Sequence, residues 1–67
     1  MNPADFRAII SALGLNQTEA GALFGVTART VRLWLAGTAP IPHTIAKVLR
    51  LMDARRLSVD EFRQTQP

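Results

Sequence analysis

The sequence predicts an all-α domain built from five short helices. Apolar residues recur at helical spacing, as in Phe6, Ile9 and Ile10 near the N-terminus. Residues typical of helix starts precede these stripes, and glycines follow them. The chain has 67 residues, which suits one compact domain. A chain of this length buries only about 60% of the surface that it exposes when unfolded, so any function must lie on the surface or in a shallow groove.

The first helix is expected over about residues 3–13. Asn2 suits the N-cap, Pro3 suits the first helical position, and Gly14 marks the end. One buried stripe is predicted from the spacing of Phe6, Ile9, Ile10 and Leu13. We expect this helix to form the back wall of the core. Arg7 is its only side chain that offers charge to a ligand, and a lone surface arginine is usually just solvated.

Residues 16–37 predict two short helices joined by a tight turn. Asn16 and Glu19 have the spacing of a capping box at the start of the first of these helices. Gly25 is expected to end it in a left-handed conformation, where a side chain would cost about 1 kcal/mol or more. Thr27 then suits the N-cap of the second helix. Two steeply crossing helices would share a small core formed by Ala20, Phe24, Val26, Val31 and Trp34.

Gly21 lies in the middle of the first helix of this pair. Glycine costs about 1 kcal/mol there relative to alanine, so a packing reason is expected. The simplest reason is that the second helix crosses too closely for a side chain to fit. An unselected surface glycine is the alternative.

The stretch LNQTEAGALFGVTARTVRLWLAGTAPIP resembles the helix-turn-helix of the Cro and phage-repressor family, the XRE-type regulators. That pattern has glutamine opening the first helix, glycine in the turn, and an apolar residue three positions before tryptophan in the second. The matching residues are Gln17, Gly25, Val31, Trp34 and Gly37. The family usually has alanine where Gly21 stands, which is a mild departure. The resemblance covers nearly the whole chain and implies that residues 1–67 form a single five-helix, lambda-repressor-like DNA-binding domain.

Four residues are expected to face base edges from the second helix of the motif, the predicted reading helix: Ala28, Arg29, Arg32 and Leu33. Bidentate hydrogen bonding from arginine to guanine is the commonest specific contact, which favours base readout by Arg29 over phosphate contact. Arg32 fits either role equally well. Ala28 and Leu33 suit thymine methyl groups, although single exposed leucines are common without any function. This helix is expected to bury Val31, Trp34 and Leu35, so Trp34 belongs to the core rather than to the contact surface.

Five polar residues are candidate contacts to DNA phosphates: Asn16, Gln17, Thr27, Thr38 and Thr44. The resemblance implies this role for Gln17, whose amide would also brace the start of the reading helix. The alternative is a polar side chain with no partner. Two prolines forbid helix through Ile41, and the family places this loop and the next helix start along the phosphate backbone. His43 lies there too, and a solvated side chain explains it better than a ligand role.

A fourth helix is expected from Pro42 or Thr44 to about Arg55. Its buried stripe comprises Ile45, Val48, Leu49 and Met52. Arg55 and Arg56 fit cations at the negative end of a helix dipole better than they fit DNA contacts.

Ser58 and Glu61 have the spacing of a second capping box. They predict a short fifth helix over residues 59–64. The final residues, 64–67, are expected to fray.

The charge distribution indicates a polyanionic partner. The net charge is +3 and the calculated pI is about 11.2. No acidic residue occurs in residues 20–52, which contain four basic side chains: Arg29, Arg32, Lys47 and Arg50. The basic field therefore centres on the reading helix and the helix after it, and double-stranded DNA is the predicted partner.

Several classes of function are excluded by residues that the chain lacks. There is no cysteine and a single histidine, so neither a disulfide nor a metal site is expected, and no cofactor is predicted. One histidine, no tyrosine and five scattered carboxylates provide no nucleophile–base pair, so an enzyme is not expected. No apolar run approaches the roughly 18 residues of a membrane span, and the N-terminus lacks the layout of a signal peptide. These features predict a cytoplasmic protein without membrane association.

The predicted function is transcriptional regulation by a phage-type or bacterial repressor or autorepressor that binds a palindromic operator as a homodimer. A dimer is expected because one reading helix covers only a few base pairs. The family implies a dimer contact near the fourth and fifth helices, which favours Leu51, Arg55 and Leu57. The alternative is an antitoxin-type protein that also binds a partner toxin. That role needs a further apolar patch or a tail that folds on binding, and the chain has almost no tail.

Overall fold

A computed structural model of the chain describes residues 1–64. Over these residues every regular element is helical, which confirms the predicted all-α fold. The helices are α1 (Pro3–Ala12), α2 (Gln17–Phe24), α3 (Ala28–Ala36), α4 (His43–Asp53) and α5 (Val59–Gln64). The fraying predicted for residues 64–67 concerns mainly residues 65–67, which lie outside the described residues. None of the helices within residues 1–64 has the length and apolar character of a membrane-spanning segment.

Most helices begin at the cap residues that the sequence predicts. The Asn2 side-chain oxygen accepts a hydrogen bond of 2.8 Å from the Asp5 N–H at the start of α1. Ser58 and Glu61 form the predicted capping box of α5, with reciprocal hydrogen bonds of 3.0 and 3.1 Å. The start of α4 differs, because Pro42 occupies the N-cap position and makes no side-chain cap hydrogen bond.

The first four helices all end in the same kind of turn. In each, one residue with positive φ donates its N–H to the carbonyl three residues earlier, and the following N–H reaches the carbonyl five residues earlier. These two hydrogen bonds define the Schellman motif, which satisfies carbonyl groups left open at a helix end. The residues with positive φ are Gly14, Gly25, Gly37 and Arg55, with φ of 74°, 72°, 76° and 60°.

The end of α4 corrects the predicted boundary near Arg55. The helix ends at Asp53, and Arg55 and Arg56 lie in the turn that follows. They are therefore not part of the last helical turn, in which Arg50 is the basic residue. The boundary was misplaced because a left-handed arginine carries no glycine signal in the sequence.

The core lies between α1, α2, α3 and α4. Its buried apolar residues are Phe6, Ile9, Ile10, Ala20, Leu23, Val31, Trp34, Ala46, Leu49 and Met52. Phe6 and Trp34 pack edge to face, with ring centroids 5.7 Å apart and an interplanar angle of 87°. The indole of α3 is thus held in the core by α1, which confirms the prediction that Trp34 is buried.

Other predicted core residues are only partly buried. These are Leu13, Phe24, Val26, Leu35, Ile45 and Val48, which pack against the edge of the core. Phe24 is covered by Phe62, with ring centroids 5.8 Å apart, so α5 closes over the end of α2. Ala46 is buried although it was not in the predicted stripe of α4. Alanine contributes little to an apolar sequence pattern, so the burial of Ala46 is evident only from its position facing the core.

Candidate nucleic-acid interface

The start of α2 is held by the predicted capping box. The Asn16 side-chain oxygen accepts a hydrogen bond of 2.7 Å from the Glu19 N–H, and a Glu19 carboxylate oxygen accepts one of 3.0 Å from the Asn16 N–H. Gln17 therefore takes the first helical position, where its side chain is half-buried. Because the Asn16 oxygen is engaged in the cap, its amide NH₂ is the part available to donate to a phosphate.

The turn between α2 and α3 requires glycine at Gly21. A Cβ atom there would lie 2.7 Å from the Val26 carbonyl oxygen and 3.1 Å from the Thr27 carbonyl carbon. The structure therefore confirms a packing reason for Gly21 and corrects its origin. The close neighbour is the backbone of the turn and of the α3 N-cap residue, not the body of the crossing helix.

The start of α3 is fixed by Thr27, as predicted. Its hydroxyl oxygen accepts a hydrogen bond of 3.2 Å from the Thr30 N–H and lies 3.1 Å from the Thr30 hydroxyl oxygen. On the inner face of α3, Val31 is fully buried and Trp34 is 4% exposed. The helix is thus anchored at its start and along one side, which leaves its opposite face to solvent.

The outer face of α3 carries two exposed arginines, Arg29 and Arg32. The predicted neighbours Ala28 and Leu33 are half-buried, so they border this face instead of standing at its centre. Ala36 is exposed and lies one helical turn after Arg32, on the same face. The sequence prediction missed Ala36, although the spacing from Arg29 and Arg32 would have identified it.

The guanidinium groups of Arg29 and Arg32 have no ion-pair partner within residues 1–64. The salt bridge found in this part of the chain joins Arg63 and Asp60 on α5, at 3.8 Å. A free arginine on a rigid helix can donate to both acceptor atoms of guanine or to a phosphate without first breaking an internal contact.

Two of the predicted phosphate-contacting residues, Thr38 and Thr44, lie after α3 in the chain. The Thr38 N–H donates to the Leu33 carbonyl oxygen at 3.0 Å, and the Thr38 side chain is exposed. Thr44 is exposed in the first turn of α4. No side chain caps that turn, so its backbone N–H groups are freer to donate hydrogen bonds to an anionic ligand than those of capped α2 and α3.

The residues predicted for a dimer contact meet at the turn between α4 and α5. The Leu57 N–H donates to the Leu51 carbonyl oxygen at 3.3 Å, and Arg55 occupies the turn between them. Leu51 is 44% exposed and is the large apolar residue most open to solvent among those described. Leu57 is half-buried and packs against the core, so it offers less surface than predicted.

The described residues therefore combine a rigidly held helix that carries unpaired arginines with an uncapped helix start that follows it closely in the chain. This arrangement suits a long polyanion better than a small molecule, because its exposed donors are spread over two helices and the loop between them. No family model, curated protein or solved structure matches the chain.

Proposed function

We propose that the chain is a sequence-specific regulator of transcription that binds double-stranded DNA by placing α3 in the major groove. One observation carries this proposal. The inner face of α3 is locked by Val31 and Trp34, while Arg29 and Arg32 project unpaired from its outer side. A helix of 9 residues is about 13 Å long, and a B-DNA major groove about 12 Å wide admits an α-helix.

The surrounding donors fit a phosphate-contacting role. Gln17 and the Asn16 amide lie at the start of α2, and Thr38 and Thr44 follow α3. Thr27 is also exposed, although its hydroxyl oxygen caps α3. Contacts of this kind set the register of a protein on the duplex without reading its sequence. The acid-free basic stretch of residues 20–52 adds an attraction for the DNA backbone.

The proposed working species is a two-fold symmetric dimer that acts in the cytoplasm of a bacterium or on a phage operator. The molecule measures 29 × 24 × 21 Å between its Cα atoms. Two copies in contact would place equivalent helices roughly one turn of B-DNA apart, about 34 Å. The exposed Leu51, beside Leu57 and Arg55, is the favoured contact.

A toxin-binding antitoxin is less well supported, because Leu51 alone does not make an apolar patch large enough to mark a protein-binding surface.

The proposal is tested by selecting duplexes from a random pool and measuring affinity over a salt series. We expect log affinity to fall steeply with log salt, because several phosphates lose condensed counterions. Arg29→Ala should cost about 1–3 kcal/mol and relax the preference at one base pair, whereas Gln17→Ala should weaken all duplexes alike.

Arg63→Ala is the matched control, since it removes one positive charge from α5, where Arg63 is paired with Asp60. It should leave sequence preference unchanged. A flat salt dependence of the parent protein would refute DNA binding. Equal losses on every duplex for Arg29→Ala would reassign that residue to the phosphate backbone.

The dimer is tested by sedimentation of the protein on its selected duplex, together with a footprint of the same complex. We expect two chains per duplex and inverted half-sites about 10 base pairs apart. Leu51→Asp should reduce the occupancy of the second half-site, and Ala54→Asp, which adds the same charge at an exposed neighbour, serves as its control. One chain per duplex with an asymmetric footprint would rule the dimer out.

A further inference from the structure

A shallow groove of about 510 Å³ lies between α1 and the start of α2, next to α3. Its rim is polar and includes Arg7, Ser11, Gln17 and Thr18, and its floor includes the apolar side chains of Leu15 and Leu35. The sequence alone gave α1 no role beyond packing. The groove instead brings a face of α1 to the same place as Gln17.

The groove borders the flank of α3 that carries Arg32. Leu35 forms part of its floor and follows Arg32 by three residues, so the two lie on neighbouring positions of one helix flank. A duplex that receives α3 in its major groove carries a phosphate backbone along each side of that groove. The backbone on the Arg32 side would therefore run over the rim formed by Gln17 and α1.

Among residues 1–64, Arg7 is the one charged residue that lines this groove. Its side chain is exposed, and no hydrogen bond or ion pair joins it to any residue of the described range 1–64. Ser11 follows Arg7 by four residues, which places its hydroxyl on the same face of α1. An unpaired guanidinium beside a hydroxyl offers a set of hydrogen-bond donors that matches the oxygens of a phosphodiester.

We propose that Arg7, supported by Ser11, binds a phosphodiester of the DNA backbone and thereby extends the DNA interface from the helix-turn-helix onto α1. This inference rests on the proposed function and adds to it a backbone contact on the side of α3 that faces Gln17. It replaces the expectation that Arg7 is merely solvated. The proposed contact is independent of base sequence, because the phosphate oxygens are the same at every base pair.

The experiment compares the full chain with Arg7→Ala, Arg7→Lys and the control Arg63→Ala on one selected duplex and one unrelated duplex. Arg7→Ala should lower affinity for both duplexes by a similar factor of about ten, the effect of losing a charged hydrogen bond. It should also reduce the slope of log affinity against log salt by about one. Arg7→Lys should restore the slope, because it keeps the charge, but only part of the affinity. Arg63→Ala should leave both quantities unchanged.

A second measurement locates the contact. Single phosphates of the selected duplex are replaced in turn by uncharged methylphosphonates. One position in each half-site should weaken binding of the parent protein and have no further effect on Arg7→Ala, because the same interaction is then already lost. Arg7→Ala should keep the thermal midpoint of the parent, since the side chain is exposed and makes no hydrogen bond or ion pair with residues 1–64.

The outcomes separate the two proposals. If the parent protein binds DNA with a steep salt dependence and Arg7→Ala matches it in affinity and slope, the Arg7 contact is refuted and the proposed function stands. If the affinity loss falls on the selected duplex alone, Arg7 reads bases and the phosphate assignment is overturned. If the parent protein shows no salt-dependent binding to any duplex, both proposals fail. If inorganic phosphate at millimolar concentration saturates Arg7 without weakening DNA binding, the groove is a separate anion site and the inference fails.

Discussion

The turn from α2 to α3 and the turn from α4 to α5 use the same backbone hydrogen bonds with different residues. In the first, the Val26 N–H donates to the Gly21 carbonyl oxygen at 2.8 Å, and in the second the Arg56 N–H donates to the Leu51 carbonyl oxygen at 2.8 Å. The residue with positive φ is glycine in the first turn and Arg55 in the second. An L-residue in this conformation costs roughly 1–2 kcal/mol, so only the second turn is strained.

The two turns differ in how strictly the fold fixes their backbone conformation. Two glycines, one within α2 and one in the turn after it, shape the α2–α3 turn and serve different needs. Gly21 has an ordinary helical backbone but no room for a Cβ atom, whereas a Cβ atom on Gly25 would meet nothing within 4 Å and only its φ of 72° requires glycine. This turn sets the position of α3 and its arginines. The α4–α5 turn supports the shortest helix, and there the strain of Arg55 is tolerated.

The largest expected effect is that of Gly21→Val. Its side chain would collide with the Val26 and Thr27 backbone, which cannot move without displacing α3. We expect the free energy of unfolding to fall by about 3 kcal/mol, as for severe overpacking. Thermal unfolding measures the change. Ala22→Val is the control, because the neighbouring Ala22 is exposed in the same helix. Similar midpoints for the two variants would show that the turn can open to admit a side chain.

A smaller loss is expected for Gly25→Val, at about 2 kcal/mol, because a β-branched residue is strongly disfavoured at positive φ. In a domain of this size that corresponds to a fall in midpoint of roughly 10 °C. Gly25→Asn is the control, since asparagine accepts the left-handed conformation more readily. An unchanged midpoint for Gly25→Val would mean that the helix end can be rebuilt without a left-handed residue.

The smallest effect has the opposite sign. Arg55→Gly should raise the free energy of unfolding by about 1 kcal/mol relative to Arg55→Ala, because both variants remove the charge and only glycine relieves the strain. The comparison of the two variants by thermal unfolding isolates the conformational cost. A midpoint for Arg55→Gly at or below that of Arg55→Ala would show that the turn carries no strain at this residue.

Local signals predicted the helix boundaries well because the groups that decide them are close in sequence. The side chain of Asn16 reaches the N–H of Glu19 three residues away, and Ser58 reaches Glu61 in the same way. Glycine at positive φ marks three of the four Schellman turns found in the described residues. The fourth was missed because Arg55 adopts a backbone conformation that its side chain disfavours, and no local pattern signals that.

The sequence predicted some residues of the candidate site correctly and missed the surroundings of others. Helical periodicity was enough to place Arg29 and Arg32 on the outer face of α3, since it depends only on which neighbours are apolar. Periodicity alone did not reveal that Leu33 would be half-buried. Nor did it reveal that Arg7, 25 residues before Arg32, lies on a groove that borders the flank of α3.

The sequence by itself determined the five helices, their caps and the exposed basic face of α3, because each depends on interactions within a few residues. The tertiary structure decided which partly apolar residues reach the core, as when α5 brings Phe62 over Phe24. It also decided why Gly21 must lack a side chain, since the carbonyl that excludes one belongs to a turn that folds back on its own helix. Such contacts depend on how the helices are placed in space, and no spacing within the sequence encodes that placement directly.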